Sequence, residues 1–234
     1  MKPIIGIVEW PYIDKDGDEI FEVFNDIINC VIRAGGIPIG VFPSQVEEYV
    51  RKSVSEIELM NFEQASDIHR ILDSCDAVIK PGALRIYPYE KLIYGYTIGK
   101  NIPYLGICAG MQLMSAYNSR LNNVRISDDN PIKHYQIGYG HDVYPVENTL
   151  LSKIVGNEKF PVYSRHRYHI ANEGVNRISG VSEDGIIEAI ENPNCNYNLG
   201  VQWHPELAPS DDEISKKLFE SLVEEAKVYR KIKR

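Results

Sequence analysis

Two short segments, one near the middle of the chain and one near its end, carry residue types that together can break an amide bond. In Tyr104-Leu105-Gly106-Ile107-Cys108-Ala109-Gly110-Met111-Gln112, a cysteine stands between two glycines, after an apolar strand-like run and before a helical segment. A tight strand-to-helix turn pushes a nucleophile out of the sheet in a strained backbone that only small neighbours tolerate, and Gly106 and Gly110 are such neighbours. The amides at the start of the helix favour thiolate over thiol and can hold an oxyanion. Cys30, Cys75 and Cys195 lack this setting and read as small buried apolar residues.

A thiol nucleophile needs a base, and Leu199-Gly200-Val201-Gln202-Trp203-His204-Pro205-Glu206 offers one. His204 follows an apolar strand directly, Pro205 fixes the backbone, and Glu206 stands two residues on. A histidine there can take the thiol proton and deliver it to a leaving amine. A carboxylate on its other nitrogen sets the tautomer and stabilises the imidazolium.

These residues need a sheet to position them. Apolar runs at Ile4 to Val8, Ile37 to Phe42, Ala77 to Lys80 and Tyr104 to Ile107 predict strands, the third ending at Pro81-Gly82. Between the first two, Phe21, Phe24, Ile27, Ile28, Val31 and Ile32 follow a helical period closed by Ala34-Gly35-Gly36, and residues 44–74 read as polar helix and loop. This alternation predicts a parallel sheet with helices on both faces, whose strand ends share one edge, so that Cys108 and His204 can meet. Runs at His141 to Val146, Pro161 to Tyr163, Ile178 to Ser182, Ile186 to Ile190 and Asn198 to Trp203 predict antiparallel additions. A helix from about Asp211, capped by Ser210, carries Ile214, Leu218, Leu222 and Ala226 on one face. The expected fold class is α/β: one three-layer domain over residues 1–234, with a mostly parallel central sheet and an antiparallel extension.

Composition removes several functions. A net charge of −8 leaves no concentrated positive surface for nucleic acid, and the basic tail Lys227, Arg230, Lys231, Lys233 and Arg234 suits the C-terminal end of a helix dipole. Met1 to Gly6 lacks a signal-peptide core and no apolar run approaches a membrane span, so a cytoplasmic protein without membrane partners is expected. The four cysteines are widely spaced and form neither a disulfide framework nor a zinc motif. The six histidines show no ligand spacing, and His141 reads as an exposed strand-edge residue. Nucleophile, base and oxyanion donors all come from the protein, so neither a metal nor another cofactor is required.

Together, Gly106 to Gln112 and Gln202 to Glu206 resemble the nucleophile elbow and histidine-glutamate motif of class I glutamine amidotransferases. The order of Ala34-Gly35-Gly36, Pro81-Gly82, Val162 with Ser164 and His166, and Asp184-Gly185 before Glu188 is similar to the γ-glutamyl-γ-aminobutyrate hydrolase branch. The resemblance implies a flavodoxin-like catalytic domain and a γ-glutamyl thioester on Cys108. It also implies oxyanion donors at Ala109 and near Gly82 and Ala83, a substrate-seating role for Gln112, and substrate contacts at Ser164 and His166.

The chain departs from that branch in places. Pro81-Gly82-Ala83-Leu84-Arg85 stands where the branch has Pro-Gly-Gly and an aspartate, Ala109 stands where it often has arginine, and Val162 to His169 lacks its Asn and Gln. Arg85, Arg165 and Arg167 are candidates for binding a substrate carboxylate, with surface arginines as the alternative. Three readings follow: a stand-alone hydrolase of a small γ-glutamyl amine or peptide, placed first; a glutaminase subunit feeding ammonia to a synthase partner; and a catalytically silent binding or regulatory protein. A homodimer is open under each.

Overall fold

The protein is described by a computed structural model covering residues 1–118 and 123–233. Arg234 of the basic tail lies outside the described residues. The first half runs β1 (Ile4–Val8), β2 (Trp10–Ile13), β3 (Glu19–Glu22), α1 (Asn25–Arg33), β4 (Ile37–Val41), α2 (Phe62–Ser74), β5 (Ala77–Lys80), α3 (Pro88–Lys100), β6 (Tyr104–Ile107) and α4 (Ala109–Ala116). The second runs β7 (Asn123–Arg125), β8 (Tyr135–Pro145), α5 (Leu150–Val155), β9 (Phe160–Arg165), β10 (Tyr168–Ile170), β11 (Arg177–Ser182), β12 (Ile187–Glu191), β13 (Asn198–Val201) and α6 (Glu213–Ile232).

Among the described residues, nine strands form one sheet in the order β4-β1-β5-β6-β13-β12-β11-β8-β9. The first five run parallel to one another, and every pairing from β13 through β9 is antiparallel. The α/β expectation holds, but the sheet is mixed rather than mostly parallel, and a flavodoxin-like description leaves out its antiparallel wing. β5, β6 and β13 are buried on both faces, which suits their unbroken apolar runs. Ala77 and Ile79 point into a core with α1, α5 and α6, whereas Val78 points into a second core with α2, α3 and α4.

Local chemistry sets the ends of the helices. Asn61 accepts the Gln64 amide at the start of α2, and Asn101 closes α3 in the left-handed conformation. At α6 the cap is Asp212, accepting the Ser215 amide at 2.7 Å, not Ser210. Leu218, Leu222 and Ala226 are buried along its predicted face, where each leucine contributes about 1.5–3 kcal/mol of burial. The helical pattern expected from Phe21 is corrected: Phe21 lies in β3, paired antiparallel with β2, and the helix begins only at Asn25. The basic tail also has a docking role, because Lys233 lies 2.9 Å from Asp76, whose other oxygen accepts the Ile4 amide.

Candidate active site

Cys108 carries β6 into α4 with φ 50° and ψ −102°. A side chain at such a positive φ costs about 1–3 kcal/mol and persists only where the surroundings enforce it. Here the Cys108 amide donates to the Val201 carbonyl at 2.7 Å, and the Cys108 carbonyl accepts the Gln112 amide at 3.1 Å. The glycines permit this closure. A Cβ on Gly106 would sit 2.6 Å from the carbonyl carbon of Gly110, and one on Gly110 would sit 2.2 Å from the carbonyl oxygen of Lys80.

His204 leaves β13 at the same edge of the sheet, its amide donating to the Tyr163 carbonyl at 2.8 Å. Its Nδ1 donates to Glu206 Oε1 at 2.6 Å, and its ring lines one cavity with Cys108. With Nδ1 engaged by Glu206, Nε2 is the nitrogen that remains for the thiol. Burial works against a charged imidazole, but the Glu206 carboxylate and Cys108 outweigh it and hold His204 well above its ordinary pKa. Both His204 and Glu206 are buried, which strengthens each of these interactions.

A cavity of about 310 Å³ opens over this pair. Gly82 and Ala83 line it beside Cys108 and His204, and Trp10, Phe24, Tyr135 and Arg165 form its wall. The Ala83 methyl brings no strain, because the non-glycine residues with positive φ, among those described, are Asn101, Cys108 and Asn148. Ala109 is the first residue of α4, so its amide lacks an acceptor within the helix. Behind this loop, Lys80 and Glu90 form a fully buried ion pair at 3.1 Å, and the Lys80 ammonium also donates to the Pro81 carbonyl at 2.9 Å.

The other candidates are dispersed. Gln112 points inward, donating to Gln202 at 3.3 Å and accepting from Asn123 at 2.7 Å. Ser164 donates to the His134 carbonyl, and His166 is bonded through Nδ1 to the Tyr168 carbonyl, so both lie behind the cavity wall. Of the three arginines, Arg165 lines the cavity, Arg85 donates to the Val50 and Lys52 carbonyls, and Arg167 stacks on the Tyr135 ring at 4.0 Å. Sequence reasoning missed Trp10, although its place just past the C-terminal end of β1 is where open parallel sheets receive ligands. It also missed a convergence of histidines: His134, His141, His166 and Glu188 offer ligand atoms within 4.8 Å of one another. His141 is 9% exposed and belongs to this group, so it is not an exposed edge residue.

A family model described as Peptidase C26 matches residues 3–206. The chain belongs to the Peptidase C26 family. It is thereby a class I amidotransferase-type enzyme, an amidohydrolase with a Cys-His-Glu kind of site. A CTP synthase of Sulfurisphaera tokodaii is 30% identical over 206 residues, covering 73% of this chain and 39% of that protein, so the chain spans well under half of that relative. A gamma-glutamyl-gamma-aminobutyrate hydrolase of Shigella flexneri is 27% identical over 244 residues, covering 94% of this chain and 92% of that one. In fold, this C26 protein is similar to the glutaminase domain of a Trypanosoma brucei CTPS with bound acivicin, with TM-score 0.67 and 20% identity over 97% of this chain and 94% of that one. Among the described residues, no helix is long and apolar enough to cross a membrane.

Proposed function

We propose that this chain is a glutaminase that hydrolyses the side-chain amide of glutamine and hands the ammonia to a synthase partner. The observation that carries the reading is the strained Cys108 elbow facing one cavity with His204, whose Nδ1 is held by Glu206. The Cys108 thiolate adds to the γ-carbonyl, and the negative charge on oxygen is taken by the Ala109 amide and the Gly82–Ala83 backbone. His204 protonates the departing nitrogen, which leaves as ammonia with the C–N bond broken and a γ-glutamyl thioester on Cys108. Water, deprotonated by His204, then attacks the thioester and releases glutamate and the free thiolate. Arg165 is the cation positioned to pair with the substrate's α-carboxylate. Gln112, Ser164 and His166 support the wall instead of touching substrate. Two cores sharing one sheet support treating residues 1–234 as a single domain.

From the sequence motifs alone, a stand-alone γ-glutamyl hydrolase comes first. The relatives weigh toward the glutaminase that comes second there, since the match at 30% identity is to part of a CTP synthase. The stand-alone reading keeps one specific support, the match to a γ-glutamyl-amine hydrolase along nearly the full length of both chains. Glutamate release from glutamine, γ-glutamyl amines and γ-glutamyl peptides separates the two. The glutaminase reading expects release from glutamine, weak until a co-purifying partner closes the site. Efficient release from a γ-glutamyl amine by the isolated chain, with glutamine spared, would overturn it in favour of the hydrolase.

A further inference from the structure

We propose that His134, His141, His166 and Glu188 form a structural site for a divalent transition-metal ion, of the zinc type, in the antiparallel wing. Their ligand atoms lie within 4.8 Å of one another, and the group is buried. Glu188 Oε1 lies 3.1 Å from His134 Nδ1, 3.5 Å from His141 Nε2 and 3.3 Å from His166 Nε2. A tetrahedral ion with bonds of about 2.0–2.1 Å separates its ligand atoms by about 3.3–3.4 Å, so these distances match three edges of such a site.

Proton placement makes the case stronger. The outer nitrogen of each ring faces an acceptor: the Asp184 carboxylate for His134 at 3.0 Å, the Asp142 carbonyl for His141 at 3.2 Å, and the Tyr168 carbonyl for His166 at 3.1 Å. A ring that donates outward while neutral turns a bare lone pair inward, toward a carboxylate that only accepts. His134 Nδ1, His166 Nε2 and both Glu188 oxygens accordingly have no hydrogen-bond partner despite their burial. The Ser164 hydroxyl, 3.0 Å from His141 Nε2, has a single proton, and it is directed 2.7 Å to the His134 carbonyl. Three buried imidazolium rings around one carboxylate would carry excess positive charge. A divalent cation instead satisfies all four inward donors at once, and the outward hydrogen bonds are those that orient metal-bound histidines.

The backbone is shaped for this convergence. In a regular strand His134 and His141, an odd number of residues apart, would face opposite sides. Pairing of β8 with β9 contains register shifts between Tyr135 and Tyr139 and between Tyr139 and His141, which together insert an odd number of extra residues and bring the two rings to one side. The site sits directly behind the catalytic cavity, because His134 adjoins Tyr135 and His166 adjoins Arg165, and Tyr135 and Arg165 are paired across β8 and β9.

The test uses untagged, chelator-treated protein carrying Cys108→Ala, so that the catalytic thiol cannot bind the probe. Titration with Zn²⁺ alone is expected to show one ion per chain, with a rise in melting temperature by mass action. His166→Gln and Glu188→Gln are each expected to weaken binding by about 100-fold or more. Because either variant could fold poorly, Co²⁺ is also added to the Cys108→Ala protein itself, where the intense visible absorption of a tetrahedral ion is expected. Absent or substoichiometric binding, a weak octahedral cobalt spectrum, or undiminished affinity in folded variants would each overturn the site.

Discussion

The Cα of Gly82 faces the imidazole of His204 so closely that a methyl group there would lie 2.7 Å from Cε1 and 3.4 Å from the Cβ of Cys108. Gly82→Ala must therefore displace either the Gly82–Ala83 loop or the ring. We expect glutamate release to fall by about 100-fold or more with little change in melting temperature, since misplacement by an ångström is costly to the reaction and cheap for the fold. Near-normal activity in this variant would place the reacting atoms elsewhere.

The positive φ of Cys108 yields a stability prediction independent of substrate. Cys108→Gly should be more stable than Cys108→Ala by about 1 kcal/mol in urea unfolding, because glycine alone adopts φ 50° without steric cost. The reverse order would mean that the elbow is not strained.

The buried Lys80–Glu90 pair anchors the strand end that leads into Gly82. Lys80→Met leaves the Glu90 carboxylate unpaired and should cost about 3–5 kcal/mol, whereas adding Glu90→Gln should recover most of that loss. Glutamine keeps an acceptor for the Tyr87 amide, which Glu90 now binds at 2.8 Å. Chemical denaturation of the single and double variants measures both effects.

Glu206→Gln removes the carboxylate that holds the charged form of His204. Burial then dominates, the imidazolium loses its proton at lower pH, and the alkaline limb of the pH–rate profile should move down. The maximal rate should fall by about 100- to 10,000-fold, with KM little affected.

Glu9 sets a second pH dependence, one of stability. Burial raises its carboxyl from 4.5 to about 7, so the folded protein holds this proton more tightly than the unfolded chain. The associated stability is complete below about pH 4.5 and is lost as pH rises through about 7. Glu9→Gln should flatten that segment of the stability–pH curve, as followed by melting temperature.

The parallel half and the meeting of Cys108 with His204 and Glu206 were legible because their signals are local. Unbroken apolar runs, a Gly-x-Cys-x-Gly turn and a His-Pro-Glu strand end each fix a conformation within a few residues. The histidine cluster was hidden for the opposite reason. Its members are far apart in sequence, His141 in β8, Glu188 in β12 and His134 and His166 just outside the ends of β8 and β9, and the irregular pairing of β8 reverses the side-chain parity on which strand reading depends. Phe21 misled the helical period, since an apolar residue at a helix-like spacing also suits the short β2–β3 hairpin. Ser164 and His166 lie one position on either side of Arg165, and strand alternation turns Ser164 to the far side of the wall from the side chain that lines the cavity.

The central claim is that Cys108 is the nucleophile for a γ-glutamyl group, and a chloroketone analogue of glutamine tests it without any partner protein. Intact mass and peptide mapping should show one label per chain, on Cys108, blocked by excess glutamine and absent from Cys108→Ala. Label on Cys30, Cys75 or Cys195 instead, or none on the folded wild type, would contradict the account.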